Sequence, residues 1–77
     1  MPAVADGEVR SPGVGRVLEI LVAVGVTVAA GDEVLVVESM KVEIPVTAPR
    51  SGQVAAIVVT PGQQVQAGDL LLTIAGL

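Results

Sequence analysis

Cysteine, histidine, tryptophan, tyrosine and phenylalanine are all missing from this chain of 77 residues. Without cysteine there is no disulfide framework and no thiolate metal site, and a reducing compartment suits the chain. Without aromatics the core must be built from Val, Leu, Ile and Ala, in a chain near the size (about 70–80 residues) at which a core alone stops sufficing. Basic residues are scarce as well: three arginines, one lysine and a net charge of −4. No basic stripe and no stacking aromatics exist, which argues against a nucleic-acid partner. An enzyme would have to work with scattered carboxylates, Ser, Thr, Arg and one lysine, which points instead to a non-catalytic carrier or binding module. Long hydrophobic runs are absent too, although 52% of the residues are hydrophobic. The longest apolar-leaning stretch, 20–30, contains Gly25 and Thr27 and falls far short of the ~18 residues of a spanning helix. The first residues lack the basic start and apolar region of a signal peptide. The expectation is a soluble cytoplasmic protein with no metal site and no membrane partner.

What the chain does have is an internal repeat. Shifted by 37 positions, its halves superimpose without a gap. Pro12 falls on Pro49, Gly15 on Gly52, Val17 on Val54 and Ile20 on Ile57. Gly25 meets Gly62, Ala30-Gly31-Asp32 meets Ala67-Gly68-Asp69, Leu35 meets Leu72, and Val37 is replaced by Ile74. A solenoid needs about three repeats or more, so two copies predict one pseudo-symmetric domain whose halves complete each other's core. The copies run over about 9–38 and 46–75. They lie within a domain at 8–77, preceded by a loose lead-in at 1–7. No Ala/Pro-rich linker is present, so the domain reads as free-standing.

Each copy reads as short valine-rich strands cut by glycine. The expected strands are 3–10, 15–22, 26–28, 33–39, 42–47, 53–59, 63–65 and 70–75, and no window keeps a helical period. The alternation slips between Val17 and Ile20 and again between Val54 and Ile57, which predicts a β-bulge, or a bend where a strand changes sheets. Asp32 and Asp69 could be imagined as a carboxylate pair; turn residues bonding local backbone N–H groups are the better reading. The fold class is all-β: a flattened barrel-sandwich of two antiparallel sheets, four strands each, with quasi-twofold symmetry.

Between the copies lie the seven residues 39–45, which have no counterpart within the repeat, and the stretch Glu38-Ser39-Met40-Lys41-Val42-Glu43 at this junction holds the only lysine. By the same shift Glu38, Ser39 and Met40 fall on Ala75, Gly76 and Leu77, where the second copy stops. The twofold relation predicts the hairpin tip and the chain end at opposite ends of the domain. A two-residue loop at Met40-Lys41 puts Ser39 opposite Val42, Glu38 opposite Glu43 and Val37 opposite Ile44. Two local rules break there. Like charges face each other, and Met-Lys replaces the Asn-Gly or Asp-Gly that positive φ at both central residues favours. Such tension is tolerated where structure serves function, while composition alone makes Lys41 a solvated surface lysine. Ile44 and Pro45 direct the outgoing strand.

The run Val37-Glu38-Ser39-Met40-Lys41-Val42-Glu43-Ile44-Pro45 resembles the attachment motif of biotinyl domains, the biotin carboxyl carrier family. The resemblance extends to the two Gly-Asp turns, Pro49, Gly52 and the two-copy layout, over about residues 9–75. It implies that biotin protein ligase joins biotin to Lys41 as an amide, with Met40, Val42, Glu38 and Glu43 read by the ligase. It implies a carrier subunit of a biotin-dependent carboxylase, such as an acetyl-CoA or other acyl-CoA carboxylase of fatty acid biosynthesis. A biotin carboxylase would load the ring using ATP and bicarbonate, and a carboxyltransferase would unload it onto an acyl-CoA or keto acid. The family usually has a second Met after the lysine, and here Val42 stands in its place, which keeps the site apolar but loses a flexible thioether. Related lipoyl domains usually place Asp before the lysine and Ala after it, so Met40 favours biotin. Some family members carry a thumb inserted in the first half; the gapless repeat leaves no room for one. The alternatives are a lipoyl or dual carrier for 2-oxoacid dehydrogenase complexes, and an unmodified adaptor module of the same fold.

Overall fold

A computed structural model describes residues 7–76; most of the expected lead-in and the first part of the expected strand 3–10 lie outside the described residues. Eight strands follow one another: β1 (Glu8–Arg10), β2 (Gly15–Ile20), β3 (Thr27–Val28), β4 (Glu33–Ser39), β5 (Val42–Thr47), β6 (Gly52–Ile57), β7 (Gln64–Val65) and β8 (Leu70–Ala75). They form two four-stranded sheets, β1-β8-β6-β3 and β5-β4-β2-β7, and every pairing is antiparallel. The body is flattened, with principal extents of 35 × 25 × 19 Å. This is the all-β barrel-sandwich the sequence predicts.

The 37-residue shift carries β1 onto β5, β2 onto β6, β3 onto β7 and β4 onto β8, and so exchanges the two sheets. Each sheet therefore takes strands from both copies. The crossing is fastened by backbone bonds in twofold-related pairs. The Gly25 N–H donates to the Val54 carbonyl at 2.8 Å and the Gly62 N–H to the Val17 carbonyl at 2.7 Å. Neither copy can close a sheet or bury its apolar face alone. The core is made of matching pairs: Val17 and Val54, Val28 and Val65, Val34 and Leu71, Leu35 and Leu72, Val37 and Ile74.

Three expected spans match, and the other boundaries differ for physical reasons. β3 and β7 begin one residue later than predicted because Val26 and Gln63 close turns, their N–H groups donating back to the carbonyls of Ala23 and Thr60 at 3.1 Å each. β2 and β6 end at Ile20 and Ile57 because one more ladder-like bond, from Leu21 or Val58, precedes the departure of the chain toward those turns. β6 opens one residue early, at Gly52, where it pairs with Val28.

The predicted phase slips are β-bulges within one sheet: the register shifts between Val17 and Glu19 against β4, and between Val54 and Ala56 against β8. A second twofold pair of shifts, not anticipated, lies between Glu33 and Leu35 and between Val9 and Arg10. Strict alternation would send one of two consecutive side chains outward. Here Val34 and Leu35 are both fully buried, and so are Leu71 and Leu72. Asp32 and Asp69 form no pair. Each carboxylate accepts its own turn's N–H, from Ala29 at 2.9 Å and from Gln66 at 2.8 Å.

Register places the two ends of the domain. Ala75 pairs with Gln53, Gln53 with Thr27, and Gly52 with Val28. The next turn residue, Gly31, bonds the carbonyl of Ala48, just past β5. The chain thus leaves β8 at the base of the β4–β5 hairpin, opposite its tip.

Candidate functional site

The β4–β5 hairpin projects from an interior strand onto an edge. β4 lies between β5 and β2 and is anchored by Leu35 and Val37, which are completely buried. Its register is the predicted one: Val37 opposite Ile44, Glu38 opposite Glu43, Ser39 opposite Val42. Pro45 sits on β5, the edge strand, where a missing N–H costs no ladder bond on the open side. Ile44 is half-buried against Val37.

Met40 and Lys41 form the two-residue turn with φ of 52° and 67°, the only non-glycine residues of positive φ among those described. Left-handed backbone costs a residue with a Cβ about 1–2 kcal/mol. The strong pairing of β4 and β5 imposes it, because a two-residue connection admits no relaxed alternative for these side chains. The consequence is exposure. Lys41 stands at the apex, outside any contact that would bury its amine. Met40 is 93% exposed, and Val42 and Val14 nearby are 59% and 67% exposed. An apolar side chain left almost wholly in water beside the single lysine has no role in the core.

The like-charged pair is real but not isolated. Across the sheet one row reads Glu43, Glu38, Arg16, Gln64. Arg16 Nη2 donates to Glu38 Oε1 at 2.7 Å. Arg16 therefore compensates Glu38, and Glu43 at the sheet edge has no ion-pair partner among the described residues. Ser39 Oγ donates to the Val14 carbonyl at 2.7 Å, tying the end of β4 to the loop before β2. All five predicted site residues, Glu38, Met40, Lys41, Val42 and Glu43, fall on this one tip.

Sequence reading did not single out Arg16, Ser39 or Val14. A signal was available in the repeat. The counterparts of Val14, Arg16, Glu38 and Gln64 are Ser51, Gln53, Ala75 and Thr27, so the copies differ in polarity and charge at the residues around the tip.

The arrangement can offer a primary amine to an acylating enzyme and swing whatever is attached to it. It holds no metal-binding cluster of His, Cys, Asp or Glu among the described residues.

Comparison with known proteins agrees with this geometry. The family described as "Biotin-requiring enzyme", the biotin/lipoyl family, matches residues 7–74. Among solved structures, urea carboxylase from Kluyveromyces lactis superimposes with a TM-score of 0.84 at 41% identity, over 88% of this chain and 6% of that one. A single-chain, multi-domain long-chain acyl-CoA carboxylase gives a TM-score of 0.84 at 33% identity, over 91% of this chain and 7% of that one. The ectoine utilization protein EutE (DoeB) from Ruegeria pomeroyi is similar at 28% identity with a TM-score of 0.79, over 100% of this chain and 24% of that one. No curated protein matches the chain. The chain spans a small part of each of these structures and corresponds to one domain of them. Biotin/lipoyl domains bind biotin or lipoate covalently, and with a family match over nearly all its length and the family's fold around an exposed lysine hairpin, this chain belongs to the biotin/lipoyl attachment family.

Proposed function

We propose that the chain is a biotin carrier in which Lys41 Nζ forms an amide with the carboxyl group of biotin, and that it serves a biotin-dependent carboxylase. The observation that carries this reading is the tip itself: the only lysine of the sequence stands at the apex of a strained, exposed turn beside a bare methionine. The residues fit the group. The amine is unburied and reachable from outside, and the two-residue turn holds it away from the sheets, so acylation displaces no packing.

Biotin supplies a ring nitrogen that takes up and gives back a carboxyl group. The chain's own part is presentation. A lysine amine is protonated at neutral pH, so a biotin protein ligase has to hold it deprotonated while the amide forms. From the ammonium two N–H protons leave in all, one to free the lone pair and one as the amide forms and the activated carboxyl of biotin releases its leaving group, so the net charge passes from −4 to −5. Met40, Val42, Glu38 and Glu43 are the surface such a ligase reads, Met40 by apolar contact and the glutamates by charge. The long arm then raises the local concentration of the ring in a partner's active site, while the chemistry stays with the cofactor and the partners. A biotin carboxylase would load it. A carboxyltransferase would transfer the carboxyl group to an acyl-CoA or keto acid, and that partner would select the acceptor. Similarity to domains of two carboxylases supports this class.

Lipoate on the same lysine is the competing reading, and Met40, where lipoyl domains usually have Asp, argues for biotin. Intact-mass measurement after co-expression with biotin ligase, and separately with lipoate ligase, tests both. A biotin increment that disappears in Lys41→Arg is the expected result. An increment only with lipoate ligase selects the lipoyl carrier, and no increment with either overturns both.

A further inference from the structure

Beside the tip runs a groove of about 520 Å³ walled by Val14, Arg16, Glu38, Met40, Gln64 and Gln66. Its floor is bare backbone at Gly15, where a Cβ would strike the Glu38 carbonyl. The twofold relation supplies an internal control, because the opposite end of the domain is built on the same backbone. There Gly52 replaces Gly15, and a Cβ on it would strike the Ala75 carbonyl. The side chains differ. Gln53, in the place of Arg16, donates its amide to the Gly25 carbonyl at 2.9 Å. Ser51, in the place of Val14, accepts the Ala30 N–H at 3.1 Å. Ala75 stands for Glu38. At that end Gln53 and Ser51 are engaged with local backbone, whereas at the tip Arg16 and Glu38 pair with each other beside the groove.

The Arg16–Glu38 pair is held by one hydrogen bond, from Nη2 to Oε1. A guanidinium carries five N–H donors and a carboxylate two oxygens. The other donors of Arg16 and the Oε2 of Glu38 have no hydrogen-bond partner among the described residues, and they belong to the two members of one ion pair. A donor next to an acceptor is the complement of a urea, which offers a carbonyl oxygen and N–H groups on one edge. Val14 and Met40 add an apolar wall. Met40 also precedes Lys41, so an arm attached to that lysine need only fold back to reach the groove.

We propose that the groove formed by the Arg16–Glu38 pair with Val14, Met40 and Gln64 is a resting site for the ureido ring carried on Lys41. Arg16 donates to the ring carbonyl, Glu38 Oε2 accepts a ring N–H, and the apolar wall covers the sulfur-containing ring. The proposal rests on biotin being the group on Lys41. Weak contacts suffice, because a tether of this length holds the ring at an effective concentration of roughly millimolar order. A partner's active site then competes with this surface for the ring.

The test compares the biotinylated and unmodified chains by two-dimensional NMR, with intact mass establishing full modification. Biotinylation should shift the amide signals of Val14, Arg16 and Gln64 and the side-chain amide of Gln64, and leave Gly25, Thr27 and Ser51 unmoved. Arg16→Ala and Gln64→Ala should each abolish these shifts while keeping the full mass increment and the dispersed spectrum of the fold. Streptavidin should capture either variant several-fold faster than the wild type. Full modification with shifts confined to residues 40–42 would overturn the resting site and leave the carrier reading intact. Equal shifts on lipoylation, whose ring has no urea, would overturn it as well. Absence of any biotin increment removes the carrier reading and the resting site with it.

Discussion

Ser39 ends β4 by donating its hydroxyl to the carbonyl of Val14 at 2.7 Å, and the bond is peculiar to the tip end because the twofold counterpart of Ser39 is Gly76. It is the last fixed point before the strained turn. Ser39→Ala should cost about 0.5–1.5 kcal/mol, the ordinary net worth of one hydrogen bond. Urea unfolding measures the loss. Hydrogen exchange should meanwhile accelerate most at Met40 and Lys41.

Met40 sets local stability against recognition. Its φ of 52° suits asparagine better than methionine. Met40→Asn should stabilise the fold by up to about 1 kcal/mol, read as a raised melting temperature. The same change removes an apolar side chain that a ligase would bury, worth about 1.5–3 kcal/mol, so biotinylation should slow by roughly 10- to 100-fold. A rate equal to wild type would show that the ligase does not bury Met40.

Val42 is 59% exposed and opposite Ser39, so its size is not constrained by the core. Val42→Met should leave stability within about 0.5 kcal/mol of wild type, as for other exposed substitutions. Initial-rate ligation assays should give a faster reaction for the variant, because the longer thioether adds contact area.

Three glycines separate three mechanisms. Gly62 has φ of 91° and open space where a Cβ would go, so Gly62→Ala is penalised through backbone conformation alone, by about 1 kcal/mol or more. Gly15→Ala drives a Cβ into the Glu38 carbonyl and should cost more than that. Gly13 has open space and no positive φ, so Gly13→Ala should be neutral or stabilising by about 0.4–1 kcal/mol. Denaturant midpoints should rise from Gly15→Ala through Gly62→Ala to Gly13→Ala.

Leu35 and Leu72 are twofold mates, each with no exposed surface. Leu35→Ala and Leu72→Ala should each cost about 2–5 kcal/mol. Because each sheet uses strands from both copies, either change should lower a single cooperative transition. Two separate transitions, one for each copy, would contradict the interlocked core.

Much of this is legible in the sequence. Residues 40–41 read as a two-residue turn that makes Val37 and Ile44 a sensible apolar pair, and the structure has that register. The bulges near Val17 and Val54 were legible because each breaks an otherwise regular alternation in both copies. The second pair of bulges was not, since Val34-Leu35 and Leu71-Leu72 lie in runs apolar throughout, where a slip leaves no trace. The compensation of Glu38 was also hidden. Arg16 lies 22 residues away, and nothing near it in the chain names its partner.

The repeat, the pattern of strands and turns and the place of one lysine at one turn are written in the chain, because they rest on backbone preference and on alternation among near neighbours. That each sheet is shared between the copies emerges with tertiary packing, since it depends on which distant faces bury each other. The tertiary structure decides, too, that Met40 is left in water, and that Arg16 comes to Glu38 beside a groove at the tip. Those facts follow from packing two halves around a common core, and packing is a property of the whole chain.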